Sequence, residues 1–209
     1  MRPLHRMNAL RIGWMVSRIH RHFPPPQHPT ILDVGCGAGL AAEALARREF
    51  PVLGIDPSAE LIAAAEQHAA GRGLPLSYRR ALPETLAAET RRFGVITALE
   101  VIEHVADPPL FLSALATLLA PGGLLFLSTL NRTTRSLLLA KIGAEYVLHL
   151  LPRGTHNWQQ FLPPADLERM LAAAGLRLAE IAGMTFDPFG GFWRESRDTS
   201  VNYIVMARG

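Results

Sequence analysis

The stretch LDVGCGAGLAAEAL, residues 32–45, decides the fold. An apolar run, Thr30-Ile31-Leu32, meets an acid, Asp33. Glycines follow at alternate positions, Gly35, Gly37 and Gly39, before an alanine-rich segment of helical character. A strand, a glycine turn and a helix start in succession bring bare backbone and unpaired N–H groups against a ligand, because side chains there would stand in its way. Nucleotide-like molecules suit such a turn. The dinucleotide pattern G-x-G-x-x-G needs its third glycine where this chain has Leu40. Diphosphate cradling is therefore disfavoured, and a nicotinamide-dependent dehydrogenase with it. Gly37, in the middle of the turn, is the position where a branched side chain should block the ligand.

Downstream, PVLGID (51–56) reads as a second short strand ending in an acid, and Asp56 falls 21 residues after Gly35. A carboxylate at that place can accept both hydroxyls of a ribose. A lone strand-end aspartate is otherwise a helix cap or a turn former; paired with the glycine turn, the ribose role is preferred.

Further out, helix and strand signals alternate. Strands are expected at 30–34, 51–56, 75–79, 93–99, 124–130, 176–184 and 201–207. Helices are expected at 39–48, 58–71 (with Ser58 as N-cap), 83–91, 108–119 and 164–174. This rhythm means β-α-β units on a parallel sheet with right-handed crossovers. Ahead of them, Ile12, Val16, Ile19 and Phe23 recur at helical spacing, and Pro24-Pro25-Pro26 stops that helix. The first 32 residues hold five arginines and no acid, superficially like an organelle transit peptide; without a serine-rich composition, an amphipathic helix packed on the domain is the better reading.

Composition narrows the class. With 209 residues, 49% of them hydrophobic, the chain suits one globular domain with a sizeable core. The single cysteine, Cys36, rules out a disulfide framework within the chain. The net charge of +3 comes from scattered arginines and one lysine, Lys141, with no dense basic run interleaved with aromatics, so nucleic acid is not an expected partner.

LDVGCGAG followed by GID resembles the S-adenosylmethionine-dependent methyltransferases of the Rossmann-like class. Five further stretches, PLHRMNALR (3–11), EVIEHVADP (100–108), STLNRT (128–133), IGAEYVLHLLPRGTH (142–156) and VNYIV (201–205), together resemble the ubiquinone-biosynthesis O-methyltransferase family over nearly the whole chain. Members usually carry a few dozen residues before the PLHR segment, which here begins at residue 3.

The resemblance implies a doubly wound, Rossmann-like α/β sheet of seven strands, mostly parallel with antiparallel last strands, in one domain spanning 1–209. It implies methyl transfer from S-adenosylmethionine to a phenolic hydroxyl of a polyprenyl catechol or hydroxyphenol. It places Arg11, Gly35, Asp56 and Leu99 against the methyl donor, and raises His5 and His156 as substrate-side candidates. It also implies a peripheral place on the cytoplasmic side of the inner membrane, with other ubiquinone-biosynthesis enzymes as conceivable partners. A methyltransferase for another small molecule, or a non-catalytic, cofactor-binding, membrane-associated scaffold, are the alternatives.

EVIEH puts Glu100, Glu103 and His104 at i, i+3 and i+4, which on a helical turn projects all three from one face. One reading is a divalent metal site, Mg²⁺ or another oxygen-preferring cation, gripping catechol oxygens. A second is His104 as general base without metal, with Glu100 beside it. A third is a helix start with acids near its positive end. Beyond Asn131 the alternation breaks. Leucines and other apolar residues recur through 134–151, flanked by Arg132, Arg135, Lys141 and Arg153. The expectation is an inserted amphipathic helical segment at 132–160, an active-site lid or a contact with an anionic membrane surface.

Overall fold

The computed structural model describes residues 2–131, 133, 162–187 and 190–209. Helix α1 (Arg2–His22) leads into strand β1 (Ile31–Val34), then α2 (Leu40–Ala46), β2 (Val52–Asp56), α3 (Ala59–Ala69), β3 (Leu76–Arg80) and α4 (Pro83–Ala87). Strand β4 (Phe93–Leu99), a single 3₁₀ turn (Ile102–His104), α5 (Pro108–Leu118) and β5 (Leu119–Leu130) follow. After the undescribed stretch come α6 (Pro164–Ala173), β6 (Arg177–Asp187), β7 (Phe192–Ser196) and β8 (Asn202–Arg208).

The eight strands form one sheet in the order β3-β2-β1-β4-β5-β8-β6-β7. The first five are parallel, β8 runs antiparallel to β5 and β6, and β7 closes an antiparallel hairpin on β6. Strand order reverses between β1 and β4, so the crevice beyond their carboxyl ends is where a ligand has room. The seven expected strands are all present; β7 is the eighth. Its FWRES sequence, part exposed and without clean alternation, carries little strand signal of its own, and its pairing with β6 makes it a strand. Ser58 does cap α3, its hydroxyl accepting the Leu61 N–H at 3.2 Å.

The central strands are hydrophobic on both faces because helices cover both. One face packs Leu32, Ile96, Leu125, Leu127 and Tyr203 against α5 and α6; the other packs Ile31, Val95, Phe126 and Ile204 against α1 and α2. Helix α1 belongs to this core: Ile12, Met15 and Ile19 are fully buried and Trp14 nearly so. At about 1.5–3 kcal/mol per buried large side chain, these hold α1 on the sheet. Val16 and Phe23, expected on that face, are only half-buried, because the buried stripe is centred on Met15.

The β6–β7 hairpin braces the same helix. Arg18 pairs with Glu180 at 2.9 Å, and the Trp14 indole N–H donates to Glu195 at 3.0 Å. Asn8 Nδ2 reaches the Leu40 carbonyl at 3.3 Å, tying α1 to the start of α2. Arg11 is thus carried to the sheet's carboxyl edge on a fixed support. Among the described residues, no helix is long and apolar enough to cross a membrane. Apart from Thr133, the expected insertion at 132–160 lies outside the described residues, as does His156.

Candidate active site

Two corners of the sheet's carboxyl edge carry the candidate residues. At the first, the Gly35 and Cys36 N–H groups both donate to the Ile55 carbonyl, at 2.8 and 3.0 Å, laying the loop along the end of β2. The Gly39 N–H closes the turn on the Cys36 carbonyl at 2.9 Å, and the Gly39 carbonyl accepts the Glu43 N–H at 2.8 Å to open α2. Gly35, Gly37 and Gly39 all have positive φ, 67°, 53° and 87°.

Their surroundings differ. A Cβ at Gly35 would stand 2.5 Å from Val101 Cγ2, and one at Gly39 would overlap the Tyr78 hydroxyl. A Cβ at Gly37 would meet nothing within 4 Å. Two of the glycines therefore yield to protein neighbours, while Gly37 faces open space.

Asp56 completes this corner. Its Oδ2 accepts the Gly37 N–H at 3.1 Å and its Oδ1 the Ser58 N–H at 2.8 Å. A carboxylate oxygen has a second lone pair, so both can still accept ribose hydroxyls. Beneath the loop, Asp33 is buried and accepts from Thr97 Oγ1 at 2.6 Å, while its Oδ2 has no partner. Burial pushes its carboxyl up to about 6, against the opposing pull of the Thr97 hydroxyl and the Ala42 N–H.

The second corner lies beyond β4. Leu99, half-buried, ends the strand opposite Ser128. Glu100 follows in the left-handed region at φ 57°. Its Oε1 takes Arg11 Nη2 in an ion pair and the Ser128 hydroxyl at 3.1 Å. Arg11 is buried, and its Nε has no partner. Glu103, one turn on, is 3% exposed. Its Oε2 accepts from Thr129 Oγ1 at 2.9 Å, and its Oε1 has no partner. Burial first, then the charge of Glu100, pushes its carboxyl up to about 7.

Ser128 and Thr129 are successive residues of one strand, so their side chains leave on opposite faces. Ser128 pairs across with Ile204, in the core beneath α1; Thr129 pairs with Tyr203, in the core beneath α5 and α6. The two hydroxyls therefore hold Glu100 and Glu103 toward opposite faces, and His104 is exposed. This corrects the expectation that the three share one helical face. Glu100 is left-handed, and only a single 3₁₀ turn follows it. Among the described residues, no three His, Cys, Asp or Glu side chains are placed to hold a metal ion.

The structure thus joins Gly37 to Asp56 and Arg11 to Glu100, and packs Leu99 half-buried against the core beneath α1. Sequence reasoning missed Val101, Thr97, Ser128 and Tyr78. Asp33 did carry a signal, an acid closing an apolar strand; the others look like ordinary strand or loop residues, and only pairing across the sheet gives them a partner.

A model of a methyltransferase domain matches residues 7–181. The ubiquinone biosynthesis O-methyltransferase of Azorhizobium caulinodans is 45% identical over 215 residues, covering 100% of this chain and 85% of that protein. The enzyme of the same name from Brucella anthropi is 45% identical over 213 residues, covering 99% and 86%. Among solved structures, the magnesium protoporphyrin IX methyltransferase of Synechocystis PCC 6803 with bound SAH superposes with a TM-score of 0.71 at 22% identity, covering 99% of this chain and 83% of that one. A methyltransferase from Methanosarcina mazei gives 0.68 at 19% identity, covering 91% and 96%. These two likenesses establish the fold.

Proposed function

This chain belongs to the methyltransferase-domain family and, within it, to the ubiquinone biosynthesis O-methyltransferases, and from that premise we propose how its two corners divide the reaction. It is an enzyme that moves a methyl group from S-adenosylmethionine to a phenolic hydroxyl in ubiquinone biosynthesis. The first corner holds the donor, with Gly37 beneath it and Asp56 on its ribose. Arg11, fixed by Glu100 and keeping an unpartnered Nε, holds the donor from the α1 side. These groups fit a nucleoside with hydroxyls to offer Asp56, a carboxylate to offer Arg11 and no diphosphate. When bound, adenosylmethionine supplies a methyl carbon made electrophilic by its sulfonium.

The second corner prepares the acceptor. A free phenol ionises near pH 10, so at neutral pH the attacking oxygen needs a base. His104, exposed at the carboxyl edge, is the residue proposed to take that proton; a positioned base contributes roughly 10²–10⁴-fold. Glu100 acts by keeping Arg11 in place. Holding donor and acceptor in line supplies much of the remaining acceleration. His104→Ala should therefore lower kcat by about 10²–10⁴-fold with donor affinity unchanged. Turnover that EDTA abolishes and Mg²⁺ restores would instead mean that ligand binding gathers the three side chains now held apart.

The acceptor proposed is a polyprenyl catechol or hydroxyphenol. A groove of about 550 Å³ between α1 and the β6–β7 hairpin, lined by Ala9, Leu10, Phe192 and Trp193, offers a prenyl tail an apolar wall. Asn131 and Leu162, the described residues on either side of the insertion, both pair at the end of the sheet: Asn131 N–H with the Val201 carbonyl at 2.8 Å, Leu162 N–H with the Leu130 carbonyl at 3.1 Å. The apolar residues of 134–151, flanked by Arg132, Arg135, Lys141 and Arg153, support a lid or membrane-contact role for that segment. Deleting that segment should abolish flotation with anionic vesicles; equal flotation of both proteins removes the membrane reading.

The open space above Gly37 beside Asp56 carries the assignment. Calorimetric titration with adenosylmethionine and with NADH, followed by a methyl-transfer assay on prenylated catechol and monophenol, tests it. Donor binding with transfer to one of these phenols is expected. Preference for NADH, or donor binding without transfer to any prenylated phenol, overturns it.

A further inference from the structure

Tyr78 lies on β3, the edge strand, two strands away from the glycine turn, yet its side chain reaches that turn. In register, Tyr78 pairs with Gly54 of β2, which pairs with Asp33 of β1. The tyrosine ring lies over Gly54: a Cβ there would stand 2.6 Å from Tyr78 Cδ1, 2.8 Å from Cε1 and 3.0 Å from Cys36 Sγ. Gly54 has no positive φ, so its backbone would accept any residue; only the ring and the thiol forbid a side chain. Beyond Gly54 the ring passes on to Gly39, where a Cβ would overlap the hydroxyl, lie 2.9 Å from Cζ and 3.3 Å from Ala65 Cβ.

Gly39 is the hinge of the turn. It closes back on Cys36 and starts α2 through Glu43. Whatever fixes Gly39 fixes the path of Gly37, whose N–H must meet Asp56. The Tyr78 hydroxyl itself is buried without a hydrogen-bond partner. Burial, then the charge of Glu43, pushes its pKa well above that of a free phenol, so it stays neutral and serves neither as base nor as charge.

We propose that Tyr78 is a positioning residue for the methyl donor: its ring supports the 35–39 loop from below, and Gly39 and Gly54 are glycines to admit it. The donor touches the other side of the loop, at Gly37. The inference rests on the methyltransferase reading for the identity of the donor, while the ring-on-loop geometry stands without it. Since the hydroxyl has no partner, ring volume is what acts.

The test measures adenosylmethionine Kd by calorimetry, together with donor KM and kcat, in the full chain. Tyr78→Ala should raise Kd and KM about tenfold, a modest misplacement of the loop on the scale of one decade per 1.4 kcal/mol, with kcat at saturating donor near wild type. Tyr78→Phe should match wild type in both. Gly54→Ala should weaken donor binding by crowding the ring, and adding Tyr78→Leu should restore part of that loss. Wild-type donor affinity in Tyr78→Ala overturns the inference, even if its melting temperature falls. Should Tyr78→Ala not fold, additive effects in the Gly54→Ala, Tyr78→Leu pair overturn it equally. A wild-type chain that fails to bind adenosylmethionine strikes the functional reading instead.

Discussion

The two corners of the carboxyl edge treat neighbouring sequence in opposite ways. At the β1–β2 corner, residues 35–39 stay together in space, because short-range backbone hydrogen bonds form the turn and Asp56 anchors it. At the β4–β5 corner, chemically promising residues close in sequence separate: Glu100 to the α1 face and Glu103 to the α5 face, with His104 at an exposed position. Closeness in sequence becomes closeness in space where the local backbone makes its own hydrogen bonds. It fails where the partners are hydroxyls alternating along a distant strand.

The largest expected effect breaks the first corner. Gly37→Val asks a β-branched residue to hold φ 53° and puts methyl groups into the ligand's space. Calorimetry should detect no adenosylmethionine binding, while circular dichroism still shows a folded protein, because no packed neighbour is displaced. Normal binding would reduce the loop to a plain turn.

Next is the pH dependence set by Asp33. Its folded carboxyl, at about 6, lies above its ordinary value of 3.8, so the native state holds the proton more tightly than the unfolded chain. The contribution to stability is fully present below about pH 4 and is lost as pH rises through 6; the linked change is about 3 kcal/mol. Thermal melts between pH 4 and 7 should show wild type losing stability relative to Asp33→Asn as pH rises. The reverse slope would mean that the carboxylate is stabilised there as a charge.

Asp56→Ala should weaken adenosylmethionine binding by about 1–3 kcal/mol, since two loop N–H groups and the ribose lose an acceptor. Unchanged affinity would reject the ribose assignment. The smallest effect sharpens the contrast at the second corner. Ser128→Ala and Thr129→Ala should each cost about 0.5–1.5 kcal/mol in denaturant unfolding. The two serve carboxylates whose charges act on each other, so the double variant should depart from additivity by about 0.5 kcal/mol or more. Strict additivity would mean that the charge of Glu100 does not reach Glu103.

Much of the fold was legible in the sequence. Alternating apolar runs and helix signals marked seven strands, and the resemblance supplied the antiparallel sense of the last ones; the glycine turn and the strand-end acid Asp56 were both marked by the chain. Those features rest on periodicity and on hydrogen bonds between residues a few positions apart, which the chain records directly. Tertiary structure alone decided why Gly35 and Gly39 must be glycine while Gly37 faces open space, because that depends on Val101 and Tyr78 arriving from the β4 loop and β3. It alone joined Arg11 to Glu100 across 89 positions and made FWRES a strand by pairing it with β6. It also divided Glu100 from Glu103, because the side-chain alternation that separates them belongs to β5, 28 and 26 residues away in sequence, and nothing within EVIEH encodes it.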